Sequence, residues 1–323
     1  MKNYIVLSGG FEWCYYCWKP YVETHQNVKF YRYRFPIECP KIIITLLNKV
    51  YHHKGYSFFR PFIRPFLLHL LPLQKNMENV VIIYDWNYLP TDKKYLGGIR
   101  KKDPQVKLVY VFTNIVKITG ANRWGILDKL NEWFDAVFAF DPLDAERYGF
   151  HYNRLIYTTP KLDSGIEENI DLFYIGKAKD RLDTLIEIFE QAQREGLKCD
   201  FTIVDVPEGE QRHAEVIKYN VKLPYGEVIE KIKRSRCLVD VIQGESSGLT
   251  IKTVESVMYD KKLLTTNENV KEEDFYKSQN IFIYDKRKSI RDFLDIPLIP
   301  NTQKEKSVFS PDYLFSLINQ FCK

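Results

Sequence analysis

The chain has 323 residues, a formal net charge of +5, and 45% hydrophobic, 28% charged and 15% aromatic content. That apolar load excludes a disordered chain, and only 15 Gly and 15 Pro exclude a collagen-like or low-complexity one. No stretch approaches the ~18–20 uninterrupted apolar residues of a spanning helix, which excludes a polytopic membrane protein.

In chain order, Met1-Lys2-Asn3 runs straight into the apolar Tyr4–Leu7, a first strand rather than a signal peptide. It has one Lys, a very short apolar run and no small-residue cleavage site, so the expected compartment is the cytoplasm. The strand candidates are Tyr4–Ser8, Val28–Tyr33, Val80–Tyr84, Lys107–Phe112 and Ala136–Phe140, then Leu172–Ile175, Asp200–Val204, Leu238–Val241, Lys262–Thr265 and Ile281–Tyr284. Most are near-continuous apolar runs, as expected of parallel strands covered on both faces. Helical spacing appears between them, at Leu182–Glu195 and Gly226–Ser235, and again at Pro311–Lys323. Strands alternating with helices predict doubly wound α/β sheets. Thr158–Gly165 is polar and turn-rich, which sets the divide between two domains near Thr159–Glu168.

The charge is uneven. Residues 1–158 hold 22 Lys+Arg against 13 Asp+Glu, or +9, and residues 159–323 hold 25 against 29, or −4. A basic half suggests nucleic acid, an anionic bilayer or a phosphorylated substrate as partner, with drift in surface composition as the plain alternative. Cys14-Tyr-Tyr-Cys17 is a CxxC, yet the tyrosines inside it and Trp13 and Trp18 beside it favour packing over redox or metal chemistry.

Several segments carry chemistry. Asp171–Leu182 reads as a strand, a turn at Gly176, and a helix that opens on Lys177, Lys179 and Arg181. Cations at a helix start oppose its dipole, and a bound phosphate would relieve the conflict; solvated lysines on an ordinary turn are the alternative. Leu238–Tyr259 reads as a strand, a Gly/Ser loop with Gln243, Ser247, Gly248 and Leu249, and a helix capped by Thr250. Glu255, in that helix's second turn, could accept hydrogen bonds from a ribose diol or be a plain exposed glutamate.

In the first half, Ser8-Gly9-Gly10-Phe11-Glu12 follows the first strand, and the glycines allow close approach of a ligand. Asp85 and Asn114 likewise follow apolar strands, where α/β sheets place ligands; turn capping is the alternative for each. Residues 56–74 interleave aromatics and leucines with Arg60 and Arg64. Prolines at 61, 65 and 72 predict no long regular helix there. Arg60, Phe62, Arg64 and Phe66 are the candidates for contact with an anionic membrane, against a buried crossover helix.

Together Gly176-Lys177, Ser247-Gly248-Leu249-Thr250, Glu255 and Lys261-Lys-Leu-Leu-Thr-Thr-Asn267 resemble the donor-binding half of GT-B glycosyltransferases. The resemblance spans about residues 75–285 and is closer to bacterial enzymes of capsule, exopolysaccharide and lipopolysaccharide synthesis, with Phe134–Gly149 closing the first domain. It implies two Rossmann-like domains: residues 1–160 for the acceptor, residues 168–305 for the nucleotide-diphosphate sugar, and residues 306–323 as a helix crossing back onto the first.

The implied activity is hexosyl transfer to a saccharide acceptor, lipid-linked on the membrane reading, in surface polysaccharide synthesis. The enzyme would be cytoplasmic or peripheral at the inner face of the plasma membrane. The family is metal-independent, and no cofactor is expected. The implied donor site is Gly176, Lys177, Lys179, Arg181, Gln243, Ser247, Gly248, Leu249, Thr250 and Glu255. Gly9, Gly10 and Asn114 lie on the acceptor or phosphate side. If the enzyme inverts, Asp85 is the first candidate base and Glu12 the second. The family's paired glutamates stand eight positions apart, and here Ser247 occupies the first place, so the stereochemical outcome is open. The rivals are a nucleotide-sugar epimerase on the same plan and a basic nucleic-acid-binding protein.

Overall fold

The two series of apolar runs become two sheets in the structure, a computed structural model that describes residues 1–9, 12–32, 35–36, 42, 58–85, 93–123, 125–158, 165–244 and 246–322. The chain forms two units, Met1–Thr158 with Pro311–Lys323, and Thr159–Ser310.

In the first unit β1 (Lys2–Ser8), β2 (Val28–Arg32), β3 (Phe35–Pro36), β4 (Glu78–Tyr84), β5 (Lys107–Val111), β6 (Ala136–Ala139) and β7 (His151–Tyr152) lie in the order β3-β2-β1-β4-β5-β6-β7. All pairs are parallel except β2 with β3. Val80–Ile83 are wholly buried, because helices cover both faces of the sheet and leave no polar side to the strand. Those helices are α1 (Glu12–Thr24), α2 (Arg60–Leu70), α3 (Lys93–Lys102), α4 (Gly120–Arg123), α5 (Leu127–Trp133) and α6 (Pro142–Tyr148). The ends of α6 follow from its residues. The Asp141 carboxylate accepts from the Leu143 and Asp144 amides, Pro142 occupies the first turn, and Gly149 takes φ +66° at the C-terminal end.

The second unit contains β8 (Ile170–Lys177), β9 (Cys199–Val204), β10 (Lys218–Tyr219), β11 (Ser235–Asp240), β12 (Lys262–Thr265) and β13 (Ile281–Ile283), all parallel, in the order β10-β9-β8-β11-β12-β13. Its helices are α7 (Leu182–Arg194), α8 (Tyr225–Lys233), α9 (Ile251–Met258), α10 (Ile290–Asp295) and α11 (Gln303–Ser307). The chain then returns to the first unit as α12 (Pro311–Phe321), where Phe315 stacks on Tyr4 at 3.7 Å between ring centroids. The Tyr21 hydroxyl donates to Asp312 at 2.5 Å, and Lys2 Nζ donates to Asn319 at 2.7 Å.

The strands differ from expectation mainly at their ends, and β3, β7 and β10, two residues each, are additional. The expected C-terminal segment began at 306, whereas residues 306–310 belong to the second unit. Within residues 56–74 the α-helix is α2, whose 11 residues end before Pro72, so no long helix runs through the segment, although two of the prolines lie inside it. Pro61 sits in its first turn, where no intrahelical amide bond is needed, and Pro65 lies on an exposed side where solvent can meet the carbonyl left over. No described helix is long and apolar enough to cross a membrane.

Candidate functional site

Strand order reverses between β1 and β4 in the first sheet and between β8 and β11 in the second. Such a reversal opens a crevice at the carboxyl ends of the strands, because the two flanking connections leave on opposite faces. Most of the site residues expected from the sequence stand at these two points.

At the second crevice, Gly176 and Lys177 end β8, and Lys179 and Arg181 occupy the turn before α7. A Cβ on Gly176 would sit 2.8 Å from the Tyr174 hydroxyl, so the position admits only glycine without rearrangement. Lys179 is exposed and takes φ +50°, a left-handed conformation that costs a lysine about 1 kcal/mol or more. Burial of part of its stem, then the charges of Arg181 and Lys177, pull its ammonium below the usual lysine range. Three cations crowd one turn, and an anion there would lower their mutual repulsion. Lys177 is also paired on the surface with Asp205 at 2.7 Å.

Arg181 does more than present charge. Its guanidinium donates to the Val241 carbonyl beyond β11 at 2.7 Å and to the carbonyls of Lys177, at the end of β8, and Ala178 just after it. It therefore fastens the two walls of the crevice to each other. Asp180 adds a second tie, accepting from the Gly244 amide at 3.2 Å.

The loop after β11 is held from below. The Asn267 side chain donates to the Gly248 carbonyl at 3.3 Å, and that of Asn269 to the Ser247 carbonyl at 3.5 Å. Thr250 caps α9 as expected, accepting from the Lys252 and Thr253 amides. That cap already occupies two amides of the expected nest, so a ligand there meets fewer open donors than the sequence suggested. Ser247, Gly248 and Leu249 are buried, and Leu249 is 3% exposed, a packing role rather than an open contact. Gln243 is half-buried at the loop's start.

Glu255 is not an exposed helix glutamate; it is 0% exposed. Its Oε2 accepts from Lys252 Nζ at 2.7 Å and its Oε1 from the Tyr225 hydroxyl at 2.5 Å. Lys252 in turn lies over the Phe173 ring, 5.6 Å from its centroid. Behind the pair, buried Asp240 accepts from Thr253 at 3.0 Å, and burial raises its carboxyl above the usual range against the pull of Thr250 and Thr253. Sequence reasoning missed Tyr225, Lys252 and Asp240. The Lys252–Glu255 spacing of three was a visible signal, whereas Tyr225 arrives from another helix.

At the first crevice, Gly9 follows β1, and Glu12 opens α1, a favourable place for a carboxylate. Gly10 lies outside the described residues. Asp85 follows β4, is 1% exposed, and accepts from the Thr113 hydroxyl at 2.8 Å. Asn114 stands half-buried two residues beyond Phe112. Beside them a small cavity is lined by Trp13, Cys14, Trp18, Tyr84, Thr113 and Asn153. Cys14 and Cys17 are buried on α1, and burial pushes the Cys14 thiol well up, away from the reactive thiolate. The candidates Arg60, Phe62, Arg64 and Phe66 lie apart from both crevices in sequence, on α2.

No family model and no curated protein matches this sequence. Among solved structures, the apo structure of OtsA aligns at TM-score 0.56 and 11% identity over 99% of both chains. An α,α-trehalose 6-phosphate synthase from Burkholderia multivorans aligns at 0.52 and 10% identity, over 99% of this chain and 97% of that one. These likenesses and the two doubly wound sheets define the fold as that of the GT-B glycosyltransferases.

Proposed function

We propose that the protein is a glycosyltransferase that moves a sugar from a nucleoside diphosphate sugar onto a saccharide acceptor. The observation that carries this reading is the cluster of Lys177, Lys179 and Arg181 at the strand-order reversal of the second sheet, in a chain of GT-B fold. The acceptor hydroxyl attacks the anomeric carbon, the bond from that carbon to the diphosphate breaks, and the diphosphate leaves with its electron pair. Lys177 and Lys179 neutralise the departing charge, and Arg181 holds the two loops that receive it. No metal is assigned to this step. Glu255, fully buried with its two oxygens taken by Lys252 and Tyr225, braces α9 behind the donor loop rather than meeting the ribose itself. In an inverting reaction the hydroxyl proton passes to a carboxylate of the first unit. Access favours half-buried Glu12, while Asp85 lies deeper against Thr113. A lipid-linked acceptor in surface polysaccharide synthesis is the finer form of the proposal, supported by the basic first half of the chain.

The test is a thermal-shift screen against UDP, GDP, dTDP and CMP. One of them should raise Tm, by mass action on the folded state, and Lys179→Gly should reduce that rise. No shift with any of the four would refute a nucleotide-sugar site.

A further inference from the structure

Helix α2 is apolar on two sides. Its inner side supplies buried Leu67 and partly buried Ile63, Leu68 and Leu70 to the core of the first unit. Its outer side, with the turn that leads into it, carries Phe58, Phe59, Phe62 and Phe66 at 61%, 40%, 78% and 52% exposure. Among the described residues, every exposed phenylalanine is here. Phe58, Phe62 and Phe66 recur at four-residue spacing, which stacks them in one row along a helix about 16 Å long. The side chains between them on that side are the exposed Pro61, Pro65 and His69. A soluble surface helix normally turns polar residues outward, and between the phenylalanines of this one only His69 is polar.

The surroundings specify the sign of whatever covers the row. Arg60 and Arg64 flank the phenylalanines. The neighbouring α3 packs closely enough that a Cβ on Gly98 would lie 2.5 Å from Leu68 Cδ1. It brings exposed Lys94, Lys101 and Lys102, and Lys102 Nζ donates to the Leu68 carbonyl at 2.7 Å. Neither α2 nor α3 contains an acidic residue. A second copy of the chain docking here through a twofold axis would set these cations against their own equivalents, so self-association is disfavoured.

We propose that the outer side of α2 docks on an anionic phospholipid surface, with the phenylalanines entering at headgroup depth and the arginines and lysines meeting the phosphates. An in-plane helix of this kind binds by apolar area and charge together, and its prolines do no harm where the carbonyls they leave over face headgroups and water. The inference does not rest on the transferase reading.

Flotation of the full chain with vesicles of phosphatidylglycerol and phosphatidylcholine, against phosphatidylcholine alone, tests it with no donor or acceptor present. The wild type should float with the anionic vesicles and release as salt rises. Phe62→Ser/Phe66→Ser should lower the partition by about tenfold or more with circular dichroism and Tm unchanged, since both rings are exposed. Arg60→Glu/Arg64→Glu should abolish the preference for anionic over neutral vesicles. Failure of the wild type to float, or equal flotation of the folded serine variant, overturns the proposal. So does a dimer in sedimentation velocity that needs Phe62 and Phe66 and forms without vesicle binding, which would assign the face to a second copy.

Discussion

The two sheets share one strand order and differ in what stands where that order reverses. In the first, carboxylates and aromatic rings occupy the place: Glu12, Asp85, Trp13 and Trp18. In the second, Lys177, Lys179 and Arg181 occupy it, and Glu255 is sealed beneath. The bulk charge runs the other way, +9 for residues 1–158 and −4 for residues 159–323. Topology sets the location of a crevice, and a few side chains at its lip set the sign of its ligand. Summed charge describes the outer surface instead, which is where α2 lies.

The comparison can be broken at several points. The largest effect belongs to Lys252→Met, which strands the Glu255 carboxylate in the core and should cost about 3–5 kcal/mol in urea unfolding. Adding Glu255→Gln should restore most of it; a single variant as stable as wild type would show that the ion pair does not hold α9. Next, Arg181→Ala removes the fastening between the loops after β8 and β11. A stability loss of about 2 kcal/mol and a tenfold weaker nucleoside diphosphate affinity are expected, discounted for partial exposure. Titration calorimetry with the nucleotide chosen by thermal shift measures the second number.

Lys179→Gly separates ligand binding from folding more sharply. Glycine tolerates the left-handed conformation, so stability should hold or rise by about 1 kcal/mol while diphosphate affinity falls. Parallel losses in both would assign Lys179 to the scaffold. The pH dependence follows from the same residue. Its ammonium is depressed, so diphosphate affinity should be level near neutral pH, where the phosphate keeps its full charge, and fall as pH rises through that lowered value. The decline should begin sooner than an ordinary lysine allows, and that early onset should be lost in the glycine variant. The smallest effect is expected in the first crevice. Asp85→Asn keeps an acceptor for Thr113 and should change stability by less than about 1 kcal/mol. A fall in turnover without a change in donor affinity would mark Asp85 as the base over Glu12, and full activity would remove it from the reaction.

Much of this architecture was legible because parallel strands buried on both faces have to be apolar throughout. Val80–Tyr84 and Leu108–Phe112 stand out for that reason. The edge pairs at Phe35–Pro36, His151–Tyr152 and Lys218–Tyr219 are too short to carry a period. The prolines showed that no long helix runs through residues 56–74, but not that Pro61 and Pro65 would sit inside α2, where exposure made the lost hydrogen bond cheap. The cation turn at Lys177–Arg181 was visible as local sequence, but its role as a fastener was not, since Arg181 reaches Val241, 60 positions on. Glu255 was visible as a residue and invisible as a buried ion pair, because burial depends on what arrives from α8.

The return of α12 to the first unit also bears on the order of synthesis. Residues 159–310 are contiguous and can fold as soon as they emerge, whereas the earlier-made unit waits for Pro311–Phe321. Until then Tyr4, Trp18 and Tyr21 lack the ring of Phe315 that packs on all three. The amino-terminal unit would spend translation unfinished, with a sticky aromatic surface for chaperones to shield. A nascent chain arrested near Ser310 should engage holdases far more strongly than one released after Phe321.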